Sequence, residues 1–277
     1  MTEQKPLLAR LSVAAWGIPL IIVVVCLGGW IFALFVALVA AIALFEFYSL
    51  AETRHLNPQT FPAVLLAAVA VFLTHFLSAG NWIGLMFLLA LLLAFIEIRF
   101  GEREGLRDLP ITLFGWAYIP LLLGTLVYVR NATWNDLQPS TAYTLYLLSS
   151  IWVCDTAAYA GGKVFGRHNL APYVSPKKTW EGAAFGLAGA LFWAILWIPF
   201  LASKTNGWDL LYVALVVGII GQSGDLIESY FKRSAGVKDS GTLLGEHGGA
   251  LDRFDSLILT VPFVFIYQVA QGRVGLF

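Results

Sequence analysis

The sequence predicts an all-α polytopic membrane protein with about nine transmembrane helices and a cytoplasmic N-terminus. Of its 277 residues, 59% are hydrophobic and only 12% are charged, which is more apolar than the average soluble domain. Apolar runs of about 20 residues recur along the chain, and a helix of that length crosses the hydrocarbon core of a bilayer. The basic residues fall mainly in alternate connections between these runs, which sets the orientation.

The apolar runs place the predicted helices in order along the chain. They cover 11–29, 30–50, 60–79, 81–98, 110–129, 141–162, 181–202, 208–226 and 256–272. With the N-terminus in the cytoplasm, four connections lie on the same side: 51–59, 99–109, 163–180 and 227–255. All Lys and Arg residues except Arg130, Lys204 and Arg273 then lie on that side, which is 17 minus 3, or 14 of 17. This asymmetry predicts the topology.

The chain is predicted to form a single integral membrane domain, 1–277, because it contains no separate soluble segment, internal repeat or low-complexity region. Residues 1–150 are predicted to be mainly scaffold helices. The acids within their apolar runs, Glu46 and Glu97, are expected to meet water at the cytoplasmic interface. Residues 150–256 hold the densest polar clusters and are predicted to be the catalytic region.

The positions of the cysteines and the net charge of the chain exclude other classes of site and partner. Cys26 and Cys154 both lie inside apolar runs, so the sequence predicts neither a disulfide framework nor a zinc site. The formal net charge is zero, so no bulk basic character indicates a nucleic-acid partner.

The first polar cluster is CDTAAYAGGKVFGRHN, 154–169. Asp155 follows an apolar run near the cytoplasmic end of a predicted helix, where a carboxylate is costly unless it is paired, hydrated or bound to a metal. Gly161 and Gly162 predict a turn. Two basic residues complete the cluster, Lys163 and Arg167. The structural alternative is an Asp155 that only bonds a neighbouring helix.

The second cluster is VSPKKTWEG, 174–182. Ser175 and Pro176 predict a turn and the start of a helix. Thr179 is a candidate N-cap, and Glu181 lies in the first helical turn, where an acid is favoured. Two lysines lie just ahead of this helix start, Lys177 and Lys178. Ammonium groups beside a helix N-terminus suit an anion; the alternative is a basic flank that only sets the topology.

The third cluster extends from 221 to 256 and combines acids, bases and glycines. Asp225 and Glu228 are three residues apart and share a helix face, and Lys232 follows Glu228 at the spacing of a helical ion pair. Helical periodicity stops in SAGVKDSGTLLGEHGG and resumes in ALDRFDS. Asp252 and Asp255 are again three residues apart, so two helices are each predicted to present a carboxylate pair.

This inventory favours metal-assisted phosphoryl or nucleotidyl transfer at the cytoplasmic face. Carboxylate oxygens suit a hard cation such as Mg²⁺, and glycines let the backbone approach phosphate oxygens closely. Four basic residues could neutralise a polyphosphate: Lys232, Arg233, Lys238 and Arg253. His247 could ligate a metal, donate to a phosphate or transfer a proton. The ATP-type phosphate loop GxxxxGK[ST] is absent from the sequence.

Three ordered blocks within about 150–256 carry a family resemblance. The longest comprises S-x-F-K-R at 229–233, K-D-x-G at 238–241 and H-G-G-x-x-D-R-x-D at 247–255. Together with 154–162 and 175–182, it resembles the phosphatidate cytidylyltransferases, also called CDP-diacylglycerol synthases. One difference is Gly245-Glu246, where that family commonly has Pro-Gly before His-Gly-Gly; it leaves the role of Glu246 open.

The resemblance implies transfer of the cytidylyl group of CTP to phosphatidic acid, giving CDP-diacylglycerol and pyrophosphate, with Mg²⁺. A second, monovalent ion such as K⁺ is a further candidate. The implied metal ligands are Asp225 and Asp252, with Asp155, Asp255 and Glu228 as further candidates. The other candidate catalytic residues are Lys238, Asp239, His247 and Arg253. The candidate substrate-binding residues are Lys163, Arg167, Ser175, Lys177, Lys178, Thr179, Lys232, Arg233, Gly248 and Gly249.

Other functions use a similar inventory. A CTP-dependent kinase of a lipid alcohol, or a cytidylyltransferase for another lipid phosphate, needs the same kind of nucleotide and metal site. An ion-coupled transporter would also use intramembrane acids and a broken helix, but the clusters map to one face and no inverted repeat is evident. The expected partners are CTP, phosphatidic acid and the bilayer, with a homodimer as an option. The expected location is a bacterial cell membrane, with the site facing the cytoplasm.

Overall fold

The computed structural model describes residues 4–101, 105–133, 140–201, 205–241 and 248–276, with side chains from residue 16 onward. These ranges are almost entirely helical, which confirms the all-α class. The chain divides into two compact units. The first unit comprises Met1–Val127 and Val237–Arg253, and the second comprises Tyr128–Gly236 and Phe254–Phe277.

The helices follow one another with short connections in the part of the chain that is described. The first six are Gln4–Leu27 (α1), Gly29–Glu52 (α2), Thr60–Phe72 (α3), Ala79–Phe100 (α4), Gly105–Trp116 (α5) and Leu122–Asn131 (α6). The next five are Ser140–Phe165 (α7), Trp180–Leu201 (α8), Gly207–Val216 (α9), Gln222–Ala235 (α10) and Leu251–Ala270 (α11). Asn169–Ala171 (β1) and Ser175–Thr179 (β2) form a two-stranded antiparallel hairpin between α7 and α8.

Six helical segments of the described chain are long and apolar enough to cross a membrane. They are Gly29–Glu52, Ala79–Phe100, Gly105–Asn131, Trp180–Leu201, Gly207–Ala235 and Leu251–Ala270. Trp16–Leu27 and Thr60–His75 are apolar but shorter. The chain is therefore an integral membrane protein, while the count of nine crossings stays a prediction.

Small residues allow the helices of the first unit to pack closely. Ala63, Ala67 and Ala70 lie on one face of α3 and are fully buried, as are Ala40 and Ala43 on α2. Because lipid is as apolar as the helix surfaces, such packing relies on close van der Waals contact between small side chains. These alanines therefore account for the pairing of α2 with α3.

In the second unit, glycines serve the same purpose between α7 and α8. A Cβ atom at Gly161 would overlap the Phe185 side chain, and one at Gly186 would lie 3.0 Å from the Cβ atom of Ala158. The turn predicted at Gly161 and Gly162 is therefore wrong, because α7 continues to Phe165. Glycine occurs both in turns and where two helices cross closely, and here it permits the crossing.

Within the described residues, two π-helical turns interrupt otherwise α-helical segments. Ala117–Leu121 joins α5 to α6, and Val217–Gly221 joins α9 to α10. In the second turn, the Gln222 Nε2 atom donates to the carbonyl oxygens of Gly218 and Ala183. Single π turns within α-helices occur frequently beside functional sites, and this one directly precedes the helix that carries Asp225.

The hairpin differs from the helix start that the sequence predicts at Ser175-Pro176. Residues Ser175–Thr179 form strand β2, in which Ser175 pairs with Ala171, and α8 begins at Trp180. Proline is tolerated here because a two-stranded sheet consists of edge strands. The predicted N-cap is confirmed, since the Thr179 Oγ1 atom accepts a hydrogen bond of 3.1 Å from the Gly182 backbone nitrogen.

Candidate active site

Three carboxylates converge in the second unit. Asp225 and Glu228 lie on α10 and Asp255 lies on α11, and each offers one oxygen within 4.8 Å of the others. Glu228 is fully buried and Asp255 is 9% exposed. An all-oxygen ligand set of this kind suits a hard divalent cation. The cluster could therefore hold a metal ion.

A glycine brings the two helices of this cluster together. A Cβ atom at Gly224 would lie 2.6 Å from the Asp255 backbone oxygen and 3.1 Å from the Ser256 Cα atom. Real Cβ atoms do not approach backbone atoms this closely, so only glycine lets α10 and α11 cross here. Because Gly224 immediately precedes Asp225, the close crossing and the first ligand are neighbours in the sequence.

Two lysines pair with the acids of the cluster. The Lys178 Nζ atom forms an ion pair with Asp225 Oδ2, and the Lys232 Nζ atom lies 2.5 Å from Glu228 Oε2. The latter contact confirms the i, i+4 pair that the sequence predicts on α10. Lys178 comes from β2, so the hairpin places an ammonium group beside the carboxylates.

Asp155 joins this group from α7. Its carboxylate lies close enough to Asp225 and Lys178 to interact with both through their charges. Asp255 interacts in the same way with Asp225, Asp155 and Lys178. The second unit therefore brings together six of the residues that the sequence singles out, from four separate elements.

The base of the hairpin is held by hydrogen bonds to its backbone. Glu181 Oε2 accepts from the backbone nitrogens of Arg167 at 3.1 Å and His168 at 3.2 Å, and Glu181 Oε1 lies 2.6 Å from His168 Nδ1. The Arg233 Nε atom donates to the Val174 carbonyl at 3.4 Å. Glu181 thus does more than complement the helix dipole, which is the role that its position in the sequence predicts.

The remaining basic candidates of the second unit are exposed around the hairpin. They are Lys163, Arg167 and Lys177. Ser175 is half-buried in β2. These side chains are accessible to an anion, and their roles in substrate binding stay predictions.

Asp252 belongs to the first unit and has a different set of partners. Its Oδ2 atom accepts hydrogen bonds from the Gly249 nitrogen at 2.7 Å, the Ser240 nitrogen at 3.0 Å and the Ser240 hydroxyl at 2.8 Å. The Gly249 N–H group, which the sequence assigns to a phosphate, donates to Asp252. Gly248 has a φ of +77°, a left-handed conformation that favours glycine. A role for Asp252 as a metal ligand stays a prediction.

Glu46 is the residue that the sequence interpretation missed. It is 4% exposed, and its carboxylate accepts hydrogen bonds from the backbone nitrogens of Ala250 at 3.0 Å and Leu251 at 2.8 Å. Glu97 is likewise buried, and it accepts from Gln59 Nε2 at 2.6 Å. The expectation that both acids meet water is therefore wrong. The sequence signal that could have identified these acids as buried and bonded is their position inside long apolar runs, because such acids are rarely left unpaired.

Other predicted residues lie at the edges of these arrangements. Lys238 and Asp239 are exposed in the connection after α10, and Arg253 is exposed on α11. His247 and Glu246 lie outside the described residues. The predicted roles of Lys238, Asp239, His247 and Arg253 therefore stay predictions, and the role of Glu246 stays open.

Known proteins resemble this chain along nearly its whole length. A model of the cytidylyltransferase family matches residues 8–270. Over 252 residues the chain is 36% identical to a phosphatidate cytidylyltransferase of Staphylococcus haemolyticus, a match that covers 89% of this chain and 93% of the relative. Over 247 residues it is 33% identical to a phosphatidate cytidylyltransferase of Staphylococcus aureus, covering 87% of this chain and 91% of the relative. The matched range extends well beyond the three polar clusters.

Proposed function

Because the chain belongs to the cytidylyltransferase family, we propose that it transfers the cytidylyl group of CTP to phosphatidic acid. The relatives at 36% and 33% identity carry that activity in their names. The observation that supports the proposal most directly is the cluster of Asp225, Glu228 and Asp255 with two lysines paired to it. A nucleotidyl transfer between two anions requires acidic side chains that bind a cation and basic side chains that bind phosphates.

The reaction exchanges one phosphoanhydride bond for another. An oxygen of the lipid phosphate bonds to the α-phosphorus of CTP, and the bond from that phosphorus to the pyrophosphate oxygen breaks. The lipid phosphate is already anionic near neutral pH, so the reaction needs no strong base. The barrier comes mainly from bringing negative groups together, and positioned positive charges lower it.

We assign Mg²⁺ to the acidic cluster, because its donors are all carboxylate oxygens from side chains that converge. Asp225, Glu228 and Asp255 would hold the ion, which supplies charge neutralisation to phosphate oxygens when it is bound. Asp155 and Asp252 stay further ligand candidates. The monovalent ion also stays a prediction.

The lysines of the site have two tasks in this proposal. In the structure, Lys178 and Lys232 balance the charge of Asp225 and Glu228. With a cation bound to the acids, the same ammonium groups would be free to donate to phosphate oxygens, since Lys is a compact and mobile donor. Lys163, Arg167 and Lys177, exposed around the hairpin, would bind the parts of the triphosphate that lie further out.

We further propose that this site faces the cytoplasm of a bacterial cell. The distribution of basic residues supports this orientation, and CTP is a cytoplasmic metabolite in any cell. The relatives are bacterial. The homodimer stays a prediction.

The test uses purified protein in detergent with phosphatidic acid, Mg²⁺ and CTP labelled at the α-phosphate. We expect the label to move into the lipid fraction, with release of unlabelled pyrophosphate. A parallel reaction with CTP labelled at the γ-phosphate, given phosphatidic acid or diacylglycerol, should leave the lipid unlabelled. Label entering the lipid from the γ-position would identify a lipid kinase, and no transfer from either position would reject the proposal.

A further inference from the structure

Glu46 lies in the last third of α2, which ends at Glu52, and it is far in sequence from every motif. The polar atoms that it contacts belong to residues 194 to 205 positions later in the chain. Its neighbours on α2 include Ala43, Leu44 and Phe47, which are buried apolar residues of the first unit. A buried carboxylate in such surroundings is costly unless it is fully hydrogen-bonded.

The partners of Glu46 lie on both sides of residues 242–247. After that segment, the Ala250 nitrogen donates to Glu46 Oε1 and the Leu251 nitrogen donates to Oε2. Before it, the Ser240 hydroxyl lies 3.3 Å from Oε2. One carboxylate on α2 therefore contacts both flanks of the glycine-rich connection between α10 and α11.

Two glycines of that connection adjoin the same carboxylate. A Cβ atom at Gly241 would lie 2.7 Å from Glu46 Oε1, and one at Gly249 would overlap Glu46 Oε2 and the Ser240 hydroxyl. The connection thus approaches Glu46 as closely as a backbone can. A side chain at either position would push the Glu46 carboxylate out of its present place.

Glu46 and Asp252 divide the donors between them. Asp252 accepts from the nitrogens of Ser240 and Gly249, while Glu46 accepts from the next two nitrogens, those of Ala250 and Leu251. The N–H groups of Gly249, Ala250 and Leu251 precede and begin α11, where no carbonyl of the helix can accept from them. Two negative charges at a helix N-terminus are also stabilised by the helix dipole.

We propose that Glu46 is a positioning residue for the reaction, because it fixes the two flanks of residues 242–247. The proposal rests on the proposed function, since the motif residues Lys238, Asp239, Asp252 and Arg253 all belong to the segment that Glu46 holds. Glu46 acts on the substrates only through this segment. Its loss should therefore lower kcat more than it raises KM.

The first readout is hydrogen exchange, which is independent of activity. In Glu46→Ala, the Ala250 and Leu251 amides lose a charge-assisted acceptor, so we expect their exchange to accelerate about tenfold or more. Glu46→Gln keeps one carbonyl oxygen and should give an intermediate rate. Unchanged exchange across 248–253 in both variants would overturn the proposal, even if cytidylyl transfer itself proved correct.

The second readout is turnover. We expect kcat for cytidylyl transfer to fall by about 10- to 100-fold in Glu46→Gln, and KM to change by less than about threefold. A loss of this size is typical when a residue that orients a reacting group without touching the substrate is changed. Glu97→Gln is the matched control, since Glu97 is another buried acid of the first unit and bonds Gln59. Equal losses of kcat in the two variants would mean general destabilisation and would overturn the proposal.

A more conservative variant keeps the proposal testable if the Glu46 variants misfold. Ser240→Ala removes the hydroxyl that contacts both Glu46 and Asp252 and adds no bulk. We expect faster exchange at 248–253 with an unchanged melting temperature. If exchange there stays at the wild-type rate, the two flanks are not held together and the proposal fails. Should the wild-type protein transfer no cytidylyl group at all, the exchange results still decide whether Glu46 holds the segment.

Discussion

The two units each contain a group of buried or half-buried acids, and the partners of these acids differ. In the second unit, Asp225 and Glu228 pair with the mobile ammonium groups of Lys178 and Lys232. In the first unit, Glu46 and Asp252 accept from backbone N–H groups. A lysine side chain can move away and leave its acid to a cation, whereas a backbone nitrogen can leave only if the chain around it unfolds. We therefore expect the partner to distinguish an acid suited to chemistry from one that holds the backbone around it.

Asp225→Asn should have the largest effect on turnover. The change removes a charged ligand from the three-acid cluster, and because a bound cation contributes several kcal/mol of transition-state stabilisation, we expect activity to fall about a thousandfold or more. Titration of the protein with Mn²⁺, followed by electron paramagnetic resonance, should show weaker binding. Glu52→Gln, an exposed acid of α2, is the control and should match the wild type. Near-normal turnover in Asp225→Asn would remove the basis for the metal assignment.

Asp252→Asn tests the acids of the first unit. The Asn side chain either turns its NH2 group toward the Gly249 and Ser240 nitrogens, which places donor against donor, or keeps an oxygen at the three contacts without the negative charge. We expect turnover to fall about 100-fold and hydrogen exchange across 237–250 to accelerate. Wild-type exchange would show that Asp252 does not hold this segment. The Mn²⁺ affinity of the same variant tests its predicted role as a ligand.

Lys178→Met tests the two proposed tasks of Lys178, which are to pair with Asp225 and to donate to phosphate. The variant keeps the length of the side chain but removes the ammonium group from Asp225. We expect turnover to fall about tenfold to a hundredfold, because a phosphate donor is lost. Without nucleotide, Mn²⁺ affinity should rise, since the ion no longer competes with an internal cation. A parallel loss of Mn²⁺ affinity and turnover would contradict this account.

Glu181→Gln should have the smallest effect. The Glu181 side chain is 25% exposed and accepts from the backbone nitrogens of two exposed residues, Arg167 and His168, where such bonds contribute little because water competes for them. We expect the KM for CTP to rise about twofold to fivefold, with kcat nearly unchanged. A collapse of kcat would mean that the hairpin depends on this acid far more than its exposure indicates.

The sequence was sufficient to predict the elements whose signals are local. Apolar runs predicted the membrane helices, the spacing of Glu228 and Lys232 predicted their ion pair, and Thr179 was correctly assigned as an N-cap. The family was also evident from ordered motifs in 150–256. Each of these signals lies within a few residues of the structure that it predicts.

Other features depend on partners that a single sequence does not identify. Glu46 bonds residues about 200 positions away, as the separation of 205 for Leu251 illustrates, so no spacing rule indicates whether it is solvated or buried. Gly161 serves a helix crossing because Phe185 lies opposite. Ser175 and Pro176 form a strand because Asn169–Ala171 pairs with it. In each case a distant segment decides between two local interpretations.

The π turn at Val217–Gly221 has a consequence for the length of the helix that contains it. A π turn holds one residue more than an α turn, because its hydrogen bonds join residues i and i+5 instead of i and i+4, and it takes up the extra residue within about the same rotation. Deleting one residue from Val217–Gly221 would restore α geometry and leave Asp225 and Glu228 facing in nearly the same direction. Deleting one residue from the α-helical stretch between this turn and Asp225 would instead rotate both acids by about 100° about the helix axis. The reach of these two acids toward Asp255 therefore tolerates a shorter chain inside the π turn and not beyond it.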